Sequence, residues 1–405
     1  MTSVNNSSGM LRLAAIMAIL IALLFVAGCS GGSGSGPNGG SIPSGGGGNG
    51  QWSSFIDKTG IYGLFEEYDL NTIAGVIHHE FDNPCSADDG NSLKSAAMLD
   101  NGEGLVVGAQ GKLYRQCKKN GNDKDFVWDD LSGQLTTQDL NDVVLDPTTG
   151  KGNVCGGNSN SICYYTSNGG VTFAAVAIDP DGHSANAIFQ FYRIARCGDL
   201  VIGVGEGGAG ISHDGGQTFR LTYRTWDTKG TTDSKAVNNS YAVSINRKDP
   251  SNLKDDDFSN MEVIILTVRG EVWHSPDGLT TNSGLKDIAK NKIGGNVPQN
   301  LCDATTIGGG PGYVVAGSNA WRIKDNREDI EPFFIEGSAS KTFRRIKADG
   351  NNLIVVGNNG FAASSTNSGY NWSVEDTGIT SDILGAHYNK HKPYVVGRDI
   401  GKVKN

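Results

Sequence analysis

The sequence sets few reactive side chains close together. His78-His79-Glu80 with Asp82 is the one local cluster of metal-ligating residue types. It lacks the His-Glu-x-x-His spacing that puts two imidazoles on one helical face, and it lacks paired cysteines. It falls at about 63–91, which fits no repeat, and reads as an inserted, solvated loop. Asp255-Asp256-Asp257 and Asp179-Pro180-Asp181-Gly182 carry oxygen ligands of the calcium type, but not the spaced series of a complete binding loop. Glu206 is a candidate acid. Glycoside hydrolysis needs two carboxylates about 5 to 9.5 Å apart, and the sequence places no pair so. The expectation is no catalytic residue, no metal site and no cofactor.

The elements that carry these residues follow from composition and repetition. Of 405 residues, 58 are glycine, about twice the average for globular proteins. Glycine destabilises helices by about 1 kcal/mol per position relative to alanine, so a helical bundle is disfavoured and a fold rich in tight turns is favoured. No three-residue glycine period exists, which excludes collagen. A net charge of −9 argues against a nucleic-acid binder, which needs clustered cations.

An apolar strand ending near glycine recurs seven times: Leu105-Val106-Val107-Gly108, Asn153-Val154-Cys155-Gly156, Ile202-Gly203-Val204-Gly205, Ile264-Ile265-Leu266-Thr267, Tyr313-Val314-Val315-Ala316, Ile354-Val355-Val356-Gly357 and Tyr394-Val395-Val396-Gly397. The spacing is about 40 to 50 residues, with one wider step that holds two polar loops, Thr225 to Asn239 and Arg247 to Asn260. Such a period predicts a seven-bladed β-propeller with four strands per blade.

A second motif follows the first. Ser212-His213-Asp214-Gly215-Gly216-Gln217-Thr218-Phe219 is its fullest copy, and Thr166-Ser167-Asn168-Gly169-Gly170-Val171-Thr172-Phe173 matches it in register. Ser365-Thr366-Asn367-Ser368-Gly369-Tyr370-Asn371-Trp372 is a third copy. Ser275-Pro276-Asp277-Gly278-Leu279-Thr280-Thr281 is degenerate and one residue short. These segments resemble the Asp-box, or BNR, repeat. Its acid or amide accepts hydrogen bonds from the turn's own backbone, its glycine supplies positive φ, and its aromatic begins the outer strand. The expected role is structural, because the motif recurs around a ring and an active site does not. The nearest resemblance, over 51–405, is to Asp-box propellers of the photosystem II stability/assembly-factor type, with sortilin-type ectodomains and xyloglucanases more remote. The segments after Tyr114 and Trp321 depart from the motif. That resemblance implies a protein-binding or assembly scaffold. Gln51-Trp52-Ser53 to Ile61 matches Asn371-Trp372-Ser373 to Ile379, so the N-terminus is expected to supply the missing outer strand of the last blade, with Trp52 at the closure.

Phe191-Tyr192-Arg193-Ile194-Ala195 is similar to the sialidase Tyr/Phe-Arg-Ile-Pro motif, whose arginine binds a substrate carboxylate. Here alanine replaces proline, and Phe343-Arg344-Arg345-Ile346 recurs at the matching place of a later repeat. Recurrence makes it a feature of the inner strand.

The first fifty residues read as address and tether. Arg12 precedes an unbroken apolar run from Leu13 to Ala27, too short for a membrane span. It ends in Phe25-Val26-Ala27-Gly28-Cys29, which resembles a bacterial lipobox. The resemblance implies a signal peptide over 1–28 and lipidation of Cys29, with several acyl chains giving a stable anchor. Ser30, where inner-membrane retention would use aspartate, implies outer-membrane sorting. Residues 29–50, rich in glycine and serine, form a tether reaching roughly 25 Å. With Cys29 lipidated, six of the seven cysteines remain, an even count that suggests disulfides in an exported protein. Cys155 and Cys163 flank a hairpin turn and are expected to pair. Cys85 with Cys117 is a second candidate, leaving Cys197 and Cys302 as a pair or as buried thiols.

The resulting expectation is an exported, lipid-anchored, non-enzymatic scaffold of the cell envelope. It binds the membrane through lipid and another envelope or extracellular protein, with a glycan as a further ligand class and no nucleic acid. The alternative is a carbohydrate-active enzyme, such as a glycosidase, sialidase-like enzyme or lyase, using one propeller face.

Overall fold

The computed structural model describes residues 52–57, 92–118, 126–158, 161–180, 190–206, 208–222, 240–267, 272–279, 286–287, 301–307, 310–325, 329–389, 392–397 and 400–404. Among them the only helical elements are 3-10 turns, at Ala109–Gly111 and Phe258–Asn260; the rest of the regular structure is strand. No described helix is long and apolar enough to cross a membrane. The candidate cluster from His78 to Asp82, Cys29, Cys85 and the loop 225–239 lie outside the described residues.

The strands form seven antiparallel-built sheets in a β-propeller arrangement. In chain order their innermost strands are Leu93–Met98, Leu140–Leu145, Gln190–Cys197, Ser240–Arg247, Leu301–Thr306, Phe343–Asp349 and Ile383–Asn389. Each inner strand packs beside the next, and the seventh packs against the first, so the ring is closed. Three further strands step outward in each sheet. In the seventh sheet the outermost strand is Trp52–Asp57, antiparallel to Ile400–Lys404. Pairing the two chain ends covers an edge that would otherwise stay open. The third sheet has a fifth strand, Ala177–Pro180, lying parallel to Thr218–Thr222. The connection leaving the second sheet thus caps the edge of the third.

The packing explains the unalternating apolar runs. Second strands such as Gly104–Gly108 are buried on both faces, and sheets covered on both faces read as continuous hydrophobic stretches. Val106 joins Leu93, Tyr114 and Val396 between the seventh and first sheets. Its neighbours Leu105 and Val107 join Leu140, Val143 and Val154 between the first and second. Comparable apolar cores separate each remaining adjacent pair of sheets.

Candidate functional site

The inner strands share one irregularity. Near its start, each skips a residue in its pairing with the second strand: at Lys94, Asn141, Tyr192, Tyr241, Cys302, Arg344 and Leu384. A bulge re-aims side chains and sharpens the local twist. In four of the sheets it directs the bulged residue toward the next sheet. Lys94 donates to Asp139 at 2.8 Å and to Asn141 at 3.1 Å. Asn141 donates to the carbonyl of Phe191 at 2.8 Å. The rings of Tyr192 and Tyr241 lie 5.5 Å apart, and Arg344 reaches Asp382 at 3.3 Å.

In four of the seven sheets the residue after the bulge is charged. Around the ring these positions are Ser95, Asp142, Arg193, Ala242, Asp303, Arg345 and Gly385. Asp142 accepts the backbone N–H of Ile194, on the next sheet, at 3.0 Å. Asp303 likewise accepts the N–H of Ile346 at 3.1 Å. Arg345, 1 % exposed, donates through Nε to the carbonyl of Leu384 and through Nη2 to Asp142 at 3.1 Å. That ion pair joins the sixth sheet to the second, which are not neighbours, so it crosses the middle of the ring. Lys347 stands 3.4 Å from Asp303. Burial works against ionisation of Asp142, but the charges of Arg345, Arg193 and Lys347 and the Ser95 hydroxyl outweigh it and hold its pKa below the usual carboxylate value. Arg193 is drawn down to about 10, first by burial and then by repulsion from Arg345.

His387, in the seventh inner strand, is held down to about 4 by burial and by Lys347. An unfolded imidazole protonates near 6.5, so on acidification the unfolded chain takes this proton first. The stability tied to neutral His387 is present above about pH 6.5 and lost as pH falls to about 4. Its extent is at most about 3 kcal/mol. We expect His387→Gln to flatten the loss between pH 6.5 and 4.5 in urea unfolding midpoints. Equal losses in variant and wild type would exclude His387 as the source.

The Asp-box-like segments are the turns between third and fourth strands of the second, third, fourth and sixth sheets. Thr166, Ser212, Ser275 and Ser365 each donate to the acid or amide two residues on, Asn168, Asp214, Asp277 and Asn367, at 2.6 to 3.0 Å. Each hydroxyl also accepts the N–H four residues on, at Gly170, Gly216, Leu279 and Gly369. Asp214 takes the N–H groups of Gln217 and Thr218 and the Thr218 hydroxyl. Although burial opposes it, these bonds and that of Ser212 lower its pKa. Phe219 is buried against Phe191, and Trp372 stacks on Phe333 of the preceding sheet. Phe173 packs on the core between the first and second sheets. The turns therefore also join sheets: Gly216 docks on Asn153 and Gly369 on Tyr313, each from the second strand of the sheet before.

Cys155 and Cys163 face each other across the second and third strands of their sheet and are joined by a disulfide. Cys117 is buried, but the pairing considered for it involves Cys85, outside the described residues. Trp52 pairs through its main chain with Lys404. The Phe191 and Phe343 segments occupy the same register: phenylalanine, bulge, arginine, isoleucine. The acids near Asp255 are spent within their own loop, Asp255 on Arg247 and Asp257 on Ser259 and Asn252. Among the described residues no three metal-ligating side chains converge. Sequence reading missed Asp142, Asp303, Lys347 and His387. For Asp142 and Asp303 the signal is an acid two places after the apolar start of an inner strand, as in Leu140-Asn141-Asp142; Lys347 and His387 lie four places after theirs.

The fold and its charged centre define an all-β propeller protein. No protein-family model and no curated protein matches the sequence. Among solved structures, the chain is similar to YCF48 bound to D1 peptide, at 14% identity over 78% of this chain and 92% of that one, with a TM-score of 0.54. It is similar to YCF48 from Cyanidioschyzon merolae, at 12% identity over 77% and 95%, with a TM-score of 0.53. It is also similar to a catalytically inactive virginiamycin B lyase from Staphylococcus aureus with quinupristin, at 11% identity over 79% and 97%, with a TM-score of 0.51. At such identities the likeness is one of fold.

Proposed function

We propose that this chain is a non-enzymatic protein-binding or assembly module, a seven-bladed Asp-box propeller held at the bacterial envelope. In this reading 1–28 is a signal peptide, Cys29 carries lipid that favours the outer membrane, 29–50 is the tether, and 51–405 is the propeller with an inserted loop at about 63–91. The observation that carries the reading is how the ring centre spends its acids. Asp142 and Asp303 each hold a neighbouring sheet's N–H and a cation, which suits a rigid frame. The fold it shares with a peptide-bound YCF48 supports a peptide or protein partner.

The test is crosslinking of the full chain in intact cells of its source, followed by titration of the purified partner. Saturable binding without turnover is the expected result. Hydrolysis or elimination of a glycan substrate, lost on changing a single carboxylate, would move the protein to the carbohydrate-active alternative. Anchoring is tested separately: Cys29→Ala should release the protein from membranes and alter its mature mass.

A further inference from the structure

Among the described residues, the charged groups near the ring centre pair off with one exception. Arg345 meets Asp142, Lys347 meets Asp303, Arg344 meets Asp382 and Lys94 meets Asp139. Arg193, in the post-bulge position of the third sheet, has no carboxylate within ion-pair range among the described residues. Its one hydrogen bond runs from Nη1 to the carbonyl of its own neighbour Tyr192, at 2.8 Å. Its Nε is buried without a partner. Arg344, 7 % exposed, has both Nε and Nη1 buried without a partner.

The arginines belong to one cluster. Asp142 binds the guanidinium of Arg345 and, through the same carboxylate, the N–H of Ile194, the residue after Arg193. Arg344 adjoins Arg345 in the chain, and its charge, like that of Arg345, is felt at Arg193. A buried cation is costly unless it is paired and hydrogen-bonded. Guanidinium N–H groups present a planar fork that suits phosphate and carboxylate.

We propose that the propeller centre binds a compact oxyanion, a phosphate or carboxylate group, with Arg193 as its principal ligand and the unpartnered N–H groups of Arg344 as further donors. The surplus cation and the unpartnered donors then satisfy each other. An anion here also ties the third sheet to the sixth, adding to the link that Arg345 makes between the sixth and the second. This site is independent of whether the protein proves to be a scaffold or an enzyme.

The experiment is thermal unfolding of the full chain in inorganic phosphate or malonate, raised to about 20 mM, against chloride at equal ionic strength. Ligand that binds only the folded state raises the midpoint. The wild type is expected to gain about 2 °C or more with at least one oxyanion, saturably; which one responds identifies the group. Arg193→Met is expected to lose the response while keeping the anion-free midpoint at or above that of wild type, because it removes a desolvated, repelled cation. Arg193→Lys keeps charge but loses the fork, and should raise the half-saturating concentration about tenfold. No saturable gain in the wild type, or the same gain and half-saturation in both variants, overturns the proposal.

Discussion

Asp142→Ala is expected to destabilise the protein by about 3–5 kcal/mol, read as a lower urea midpoint at unchanged slope. The substitution leaves Arg345, 1 % exposed, as an uncompensated charge. It also strips the acceptor from the N–H of Ile194, on the adjoining sheet. Two sheets lose their hold on the second sheet through one side chain. The pair Asp142→Leu with Arg345→Met separates these effects. Apolar replacement of both partners of a buried ion pair is often nearly neutral, so the double variant should recover at least about 2 kcal/mol relative to Asp142→Ala. What it cannot restore is the acceptor for Ile194. A double variant as unstable as the single one would mean that the backbone bond, rather than the ion pair, is what matters at Asp142.

This dependence was hard to read in the sequence, for a physical reason. The repeat is written in the second strands. Leu105-Val106-Val107 and its copies are buried on both faces, so they stand out as unbroken apolar runs. The turns are equally legible, because Ser212, Asp214 and Gly216 satisfy one another within a few residues. Asp142 and Arg345 answer to each other across 203 positions of chain. Nothing near either residue announces the partner; only closure of the ring brings them together.

The arginine of Phe191-Tyr192-Arg193-Ile194 drew notice for a likeness to carboxylate-binding arginines, and its recurrence at Phe343-Arg344-Arg345-Ile346 marked it as an inner-strand feature. The register agrees, since the bulge falls at Tyr192 in one segment and at Arg344 in the other, immediately before Arg193 and Arg345. Yet the two arginines differ in circumstance. Arg345 has an acid on the far side of the ring, and Arg193 has none in range among the described residues. Equivalent backbone positions thus carry inequivalent electrostatics, and it is the difference between copies, not their likeness, that points to a ligand.

Gly216→Ala is expected to cost about 3 kcal/mol or more. Two independent terms converge. Gly216 has φ of 84°, a left-handed conformation that costs an L-residue about 1–2 kcal/mol. A Cβ built there would also stand 1.9 Å from Oδ1 of Asn153. Asn153 is fully buried and donates through Nδ2 to the carbonyl of Gly216 at 2.8 Å. It cannot withdraw without surrendering that bond, and a buried carbonyl left without a donor costs about 1–3 kcal/mol. The two terms can be told apart. Asn153→Ala removes the obstruction but not the strain, so Gly216→Ala with Asn153→Ala should be less destabilised than the sum of the single variants by about 1 kcal/mol or more. Strict additivity would mean that backbone strain accounts for the whole effect. The fourth sheet supplies the converse case. There Leu279 holds the matching position with φ of 61° and packs on the core between the third and fourth sheets. Its strain is offset by a contact that glycine cannot make, so Leu279→Gly should change stability far less than Gly216→Ala. The motif tolerates a side chain where the neighbouring sheet leaves it room, and demands glycine where that neighbour is Asn153.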